Sequence, residues 1–127
     1  MAVVVDASAV GAIAFGEPEG HTLAAHLMGE TLLAPTLLDY EMASIASKKA
    51  RAHPEVAPHI QAALEAAGRL RIQRVPVPAT ELLRLARETK LTVYDAAYLW
   101  LARTRDAELV TAFGLCGSQA SGIRSGP

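Results

Sequence analysis

The chain opens with three β-branched residues, Val3-Val4-Val5, an apolar run with no polar alternation. Such a run reads as a short strand buried on both faces, the kind found in the middle of a parallel sheet. Asp6 ends it, and Ala7-Ser8-Ala9 begins a helical pattern. Ala9 to Phe15 predicts a short apolar helix, stopped by Gly16-Glu17-Pro18. Pro18 suits the first turn of a second helix carrying His21, Leu23, Leu27 and Met28, which Gly29 closes. Thr31 to Ala34 predicts another strand, and Pro35-Thr36 opens a long helix over about residues 37–52, with Thr36-x-x-Asp39 at capping-box spacing. His53-Pro54 breaks that helix, and a further one runs from Glu55 to Ala67. From Leu70 to Val75 apolar and basic residues alternate, which suits an edge or half-buried strand. Beyond Pro76 and Pro78 lies an amphipathic helix with Leu82, Leu83, Leu85 and Ala86. Thr92-x-x-Asp95 is a second capping-box spacing, for a helix reaching about Arg105, and Glu108 to Thr111 is a last strand.

Strands thus alternate with helix pairs, the order required by a parallel sheet with helices on both faces. The expected fold is α/β, a three-layer α/β/α sandwich around a central parallel sheet of about four strands. It occupies residues 1–111 as one domain. Residues 112–127 hold Gly114, Gly117, Gly122 and Gly126 with Ser118, Ser121 and Ser125, and read as a loosely ordered tail.

Composition narrows the functional classes. At 127 residues with a formal charge of -1, the chain is not a basic protein that coats nucleic acid by bulk attraction. Any nucleic-acid contact must come from local Lys and Arg clusters. Cys116 is the only cysteine, so neither an intrachain disulfide nor a cysteine-built metal site is available. The start lacks a basic secretory leader, and no apolar run approaches the roughly 20 residues of a membrane span. A cytoplasmic location is the expectation.

Three acids stand out. Asp6 follows a strand, where open α/β folds place their ligands, although a helix N-cap alone would also explain it. Glu41 falls on the apolar stripe of its helix, one turn from Leu37, Leu38, Ser44 and Ile45, where an unpaired charge is costly. The alternative there is a salt bridge to a buried Arg. Asp95 opens a helix, and the Thr92-x-x-Asp95 box would justify it; Asp39 is explained by its own box. An Asp after the first strand, a Glu in the first turns of a long helix and an Asp opening a later one could converge at one end of a parallel sheet. All-oxygen sites of this kind suit Mg²⁺ or Mn²⁺, which can activate water and offset charge developing on a phosphodiester.

Three blocks carry a resemblance. Val-Val-Asp-Ala-Ser-Ala at the start, Leu-Leu-Asp-Tyr-Glu-Met-Ala-Ser at 37–44 and Leu-Thr-Val-Tyr-Asp-Ala-Ala-Tyr-Leu at 91–99 resemble PIN domains, and more narrowly the VapC toxins of bacterial toxin–antitoxin pairs. The resemblance runs in order and spacing to about residue 111, and the third block is its most specific part. It implies a Mg²⁺- or Mn²⁺-dependent endoribonuclease whose catalytic and metal-binding carboxylates are Asp6, Glu41 and Asp95. Ser8 and Thr111 match positions of supporting hydroxyls. It further implies an RNA substrate, a VapB-like antitoxin partner and a homodimer. The family usually has a fourth acid two residues past the Thr of a Thr-x-Asp; here Phe113 stands there, and no Asp or Glu occurs from Leu109 onward. The site is then expected to work on three carboxylates and waters, at reduced activity; the alternative function is a PIN-like module that binds antitoxin and RNA without turnover.

The remaining features read as structural. His21, His26, His53 and His59 lack metal-ligand spacing and are expected at the surface. Lys48, Lys49 and Arg51 end a helix, where its dipole favours cations; that reading is preferred to one in which they hold RNA phosphates. Arg71 and Arg74 invite the same two readings. Tyr94, Tyr98 and Trp100 suit core packing or a dimer contact better than base stacking, although Tyr94 stands beside Asp95. Phosphotransfer on Asp6 lacks its supports: a haloacid-dehalogenase-type site wants an Asp at Ser8, and a receiver domain wants a Lys where Thr111-Ala112-Phe113 stands.

Overall fold

The computed structural model describes residues 1–112 and the backbone of residues 114–115. Among the described residues five strands form one sheet: β1 (Ala2–Val5), β2 (Thr31–Pro35), β3 (Ile72–Val75), β4 (Glu108–Thr111) and β5 (Gly114–Leu115), in the spatial order β3-β2-β1-β4-β5. The first four are parallel, and β5 pairs antiparallel with β4. β5 lies in the stretch whose composition suggested a loose tail. Phe113 and residues 116–127 lie outside the described residues, as does Cys116.

β1 occupies the centre, flanked by β2 and β4, and its valines are at most 3% exposed. Alternation of side chains along the strand then assigns the layers. Val3 and Val5 point into a core built with α1 (Ala7–Ala14), α2 (Gly20–Leu27), α3 (Leu38–Ala52) and α4 (Ala57–Gly68). Val4, with Leu33 and Leu109, points to the opposite face, under Tyr98, Leu101 and Ala102 of α6 (Val93–Thr104). α5 (Ala79–Thr89) packs outside α6 through Leu85 against Ala96 and Leu99. This is the expected three-layer arrangement, with the continuous apolar run of β1 explained by burial on both faces. β3 is the edge strand its alternating pattern predicts: Ile72 is buried and Gln73 exposed.

α1 and α2 meet closely. A Cβ at Gly20 would stand 2.6 Å from the Ala12 carbonyl oxygen, so only glycine fits there. A short 3-10 turn, Pro54–Val56, absorbs the break predicted at His53-Pro54.

The two capping boxes fare differently. Thr92 caps α6, its Oγ1 accepting from the Asp95 N–H at 3.1 Å. Thr36 does not cap α3, whose N-cap is Leu37 with no side-chain bond. Asp39 instead forms a two-pronged pair with Arg74 of β3, at 2.8 Å (Nη2) and 3.3 Å (Nε). The cap explanation of Asp39 is thereby replaced by a tertiary one, and Arg74 is committed to Asp39 and to the Ile72 carbonyl. Among the described residues no helix is long and apolar enough to cross a membrane.

Candidate active site

The strand order reverses direction beside β1. The chain moves outward from β1 to β2 and β3, then returns across the sheet to place β4 on the other side. In open α/β sheets the crevice beyond the strand C-termini at such a switch point is where ligands bind. Asp6 follows β1 directly, and Thr111 ends β4.

Backbone and hydroxyl bonds knit these two strand ends together. The Asp6 N–H donates to the Val110 carbonyl at 3.3 Å. Ser8 Oγ donates to Asp6 Oδ1 at 2.7 Å and accepts from the Ala112 N–H at 2.9 Å. Asp6 Oδ1 also accepts from the Ala9 N–H at 3.0 Å, making Asp6 the N-cap of α1. Cap and candidate ligand are thus the same residue, with one oxygen committed to the fold. Thr111 is 9% exposed and buried at the end of β4.

Glu41 and Asp95 reach the same end of the sheet by helix direction. α3 leaves the C-terminal end of β2, so its first turn, with Glu41, starts there. α6 runs back toward the start of β4, so its first turn, with Asp95, lies at the C-terminal end too. Glu41 is half-buried, and Asp95 is exposed.

Electrostatics tie the three together. Burial raises Asp6 above its ordinary value, an effect partly offset by the Ser8 and Ala9 bonds and reinforced by the charge of Asp95. Burial likewise raises Glu41; a bond from Tyr98 opposes this, and the charges of Asp6 and Asp95 add to it. Asp6 and Glu41 are thus held partly desolvated, with the charge of Asp95 acting on both, a condition that a bound cation would relieve.

Tyr98 is the residue that sequence reasoning left in the core. It is 4% exposed, and its Oη donates to Glu41 Oε1 at 2.6 Å. Burial and the neighbouring Glu41 charge raise its own pKa, so it remains a donor. One signal pointed to this role: Tyr98 lies three positions after Asp95, on the same helix face.

The donor set fits a hard divalent cation in kind, since every contributing group is a carboxylate oxygen. Among the described residues, however, no three His, Cys, Asp or Glu side chains stand close enough together to hold an ion as they are. The four histidines are exposed, as expected; His26 meets Glu108 at 3.3 Å and His53 meets Glu55 at 3.7 Å.

The chain matches the family model of the PIN domain over residues 3–114. It belongs to the PIN domain family. It is also similar to the crystal structure of PAE2754 from Pyrobaculum aerophilum, at 31% identity and a TM-score of 0.60, over 87% of this chain and 81% of that one. The comparison with curated proteins finds no match. PIN domains are generally metal-dependent nucleases that use Mg²⁺ or Mn²⁺. In this PIN domain the end of β1 with Asp6 and the first turns with Glu41 and Asp95 share the C-terminal end of the sheet.

Proposed function

We propose that this PIN domain is a metal-dependent endoribonuclease of the VapC-like toxin type, with Asp6, Glu41 and Asp95 as its catalytic and metal-holding residues. The observation that carries the reading is the burial of Asp6 and Glu41 at the C-terminal end of the sheet, with the charge of Asp95 acting on both. Asp6, Glu41 and Asp95 would hold Mg²⁺ or Mn²⁺, which supplies an activated water and offsets charge developing on the phosphodiester. Ser8 and Tyr98 each hold one oxygen of an acid, and so limit how Asp6 and Glu41 turn. Thr111, buried at the end of β4, would supply a supporting hydroxyl.

A VapB-like antitoxin whose segment fills the same groove, and a homodimer, complete the proposal; both rest on the family resemblance. The exposed Val93 and Tyr94 at the start of α6 are available to such partners.

One observation favours the second reading, a PIN module that binds but does not turn over: Phe113 replaces the family's fourth acid. Cleavage of a labelled RNA with Mg²⁺ or Mn²⁺, against the same reaction with EDTA, decides between them. Metal-dependent cutting is expected; binding without cutting would favour the second reading.

A further inference from the structure

α3 has two unlike faces. Leu38, Met42 and Ala46 are buried on one. Lys49, on that side, is committed to Glu17 and stands 5.7 Å from the Phe15 ring centroid. The other face begins at Tyr40, beside Glu41, and continues through Ser44, Lys48 and Arg51. These residues are three or four positions apart and so are neighbours along the helix surface. The stripe extends about 16 Å at the rise of an α-helix.

Tyr40 is 80% exposed, so its ring stands in water at the first turn of α3, one position before Glu41. Ser44, Lys48 and Arg51 are exposed as well. Arg74 is tied to Asp39, and Arg84 to Glu81 and Glu88, whereas Arg69, Arg71, Arg87, Lys90, Arg103 and Arg105 show no ion pair among the described residues. Among the described residues neither Lys48 nor Arg51 makes an ion pair. The helix dipole accounts for two cations in the last turns, but not for a ring held in water at the first turn, next to Glu41.

We propose that this stripe binds single-stranded RNA as it leaves the carboxylates, with a base stacked on Tyr40 and phosphates against Lys48 and Arg51. The inference rests on the nuclease reading and adds the path of the substrate to it. A flat exposed ring takes an unpaired base, whose face a duplex would cover, and stacking tolerates any base. The cations meet phosphates, which are common to every sequence. The track therefore supplies affinity and leaves sequence choice to other contacts.

The test is binding of a fluorescein-labelled oligouridine to the full chain by anisotropy, with EDTA present so that nothing is cut. Lys48→Ala/Arg51→Ala should weaken binding and flatten the plot of log affinity against log salt by about 1.4, the loss of two single-strand phosphate contacts. Tyr40→Ala should weaken binding roughly five-fold or more with the salt slope unchanged. Arg103→Ala/Arg105→Ala, which removes two charges at the far end of α6, should leave both quantities as they are. Unaltered binding by the α3 variants, or an equal loss in the control, would overturn the proposal. So would a native chain that binds no oligouridine. A change in molar mass by light scattering, with RNA affinity intact, would assign the stripe to a second copy of the chain instead. Cleavage by the native chain in Mn²⁺, measured separately, keeps the nuclease reading distinct: if cutting persists while the α3 variants bind normally, only the track is wrong.

Discussion

Tyr98 Oη and Glu41 Oε1 are joined by a 2.6 Å hydrogen bond across 57 positions of sequence, linking α6 to the first turn of α3. The bond favours the ionised form of Glu41, against the burial that raises its pKa. Tyr98→Phe removes the donor while keeping the ring. The variant should lose about 1.5–3 kcal/mol, the range for bonds to a charged group, and Glu41 should titrate higher than in the native chain. Urea unfolding checks the first outcome, and carboxyl chemical shifts followed against pH check the second.

Asp6 and Glu41 both lie above their ordinary values of 3.8 and 4.5, with burial as the leading cause. When a folded pKa exceeds the unfolded one, the folded chain holds the proton more tightly. The associated stability is complete below the unfolded value and is lost as pH rises through the folded value. Asp6→Asn keeps an acceptor for Ser8 and Ala9 and has no charge. In chelator, this variant should melt above the native chain near neutral pH, and the gap should close as pH falls below the ordinary carboxylate range. Melting curves across that range check the sign.

Only one of the two Thr-x-x-Asp spacings forms a cap, and stability should show it. Thr92→Ala removes the acceptor for the Asp95 N–H and should cost about 1 kcal/mol. Thr36→Ala removes no cap from α3 and should cost far less. Asp39→Asn breaks a largely exposed pair, worth roughly 0–1 kcal/mol. Chemical denaturation of the three variants gives the ranking.

These cases mark what the sequence could disclose. Val3-Val4-Val5-Asp6 was legible because β1 is buried on both faces, which leaves an uninterrupted apolar run and a single polar residue at its end. β3 was legible because an edge strand alternates. Asp39 was misread because its spacing from Thr36 is local information, whereas Arg74 arrives through β2–β3 pairing. A core position for Tyr98 agrees with its burial; that its hydroxyl meets Glu41 depends on helices from opposite faces starting at the same end of the sheet, which no window of sequence contains. Lys48 and Lys49 are adjacent and alike in sequence, yet helix geometry sends one to solvent and the other to Glu17.

Phe113 occupies the position at which the family resemblance expects an acid. Fewer charged oxygens weaken hard-cation binding. Phe113→Asp should therefore lower the Mn²⁺ concentration needed for half-maximal cleavage, and Mn²⁺ binding by calorimetry should tighten in parallel. An unchanged metal dependence would mean that Phe113 is not the counterpart of the fourth acid.

Asp6, Glu41 and Asp95 are proposed to act as one metal-holding nuclease site. The most direct test is cleavage of a labelled RNA across a Mn²⁺ titration by the native chain and by Asp6→Asn, Glu41→Gln and Asp95→Asn. The native chain should cut only with metal. Each variant should lose at least the roughly 10- to 100-fold that even an outer partner of a metal site commands. Cleavage that persists in EDTA, or a variant that cuts at the native rate, would mean that these three acids do not form a metal-dependent nuclease site.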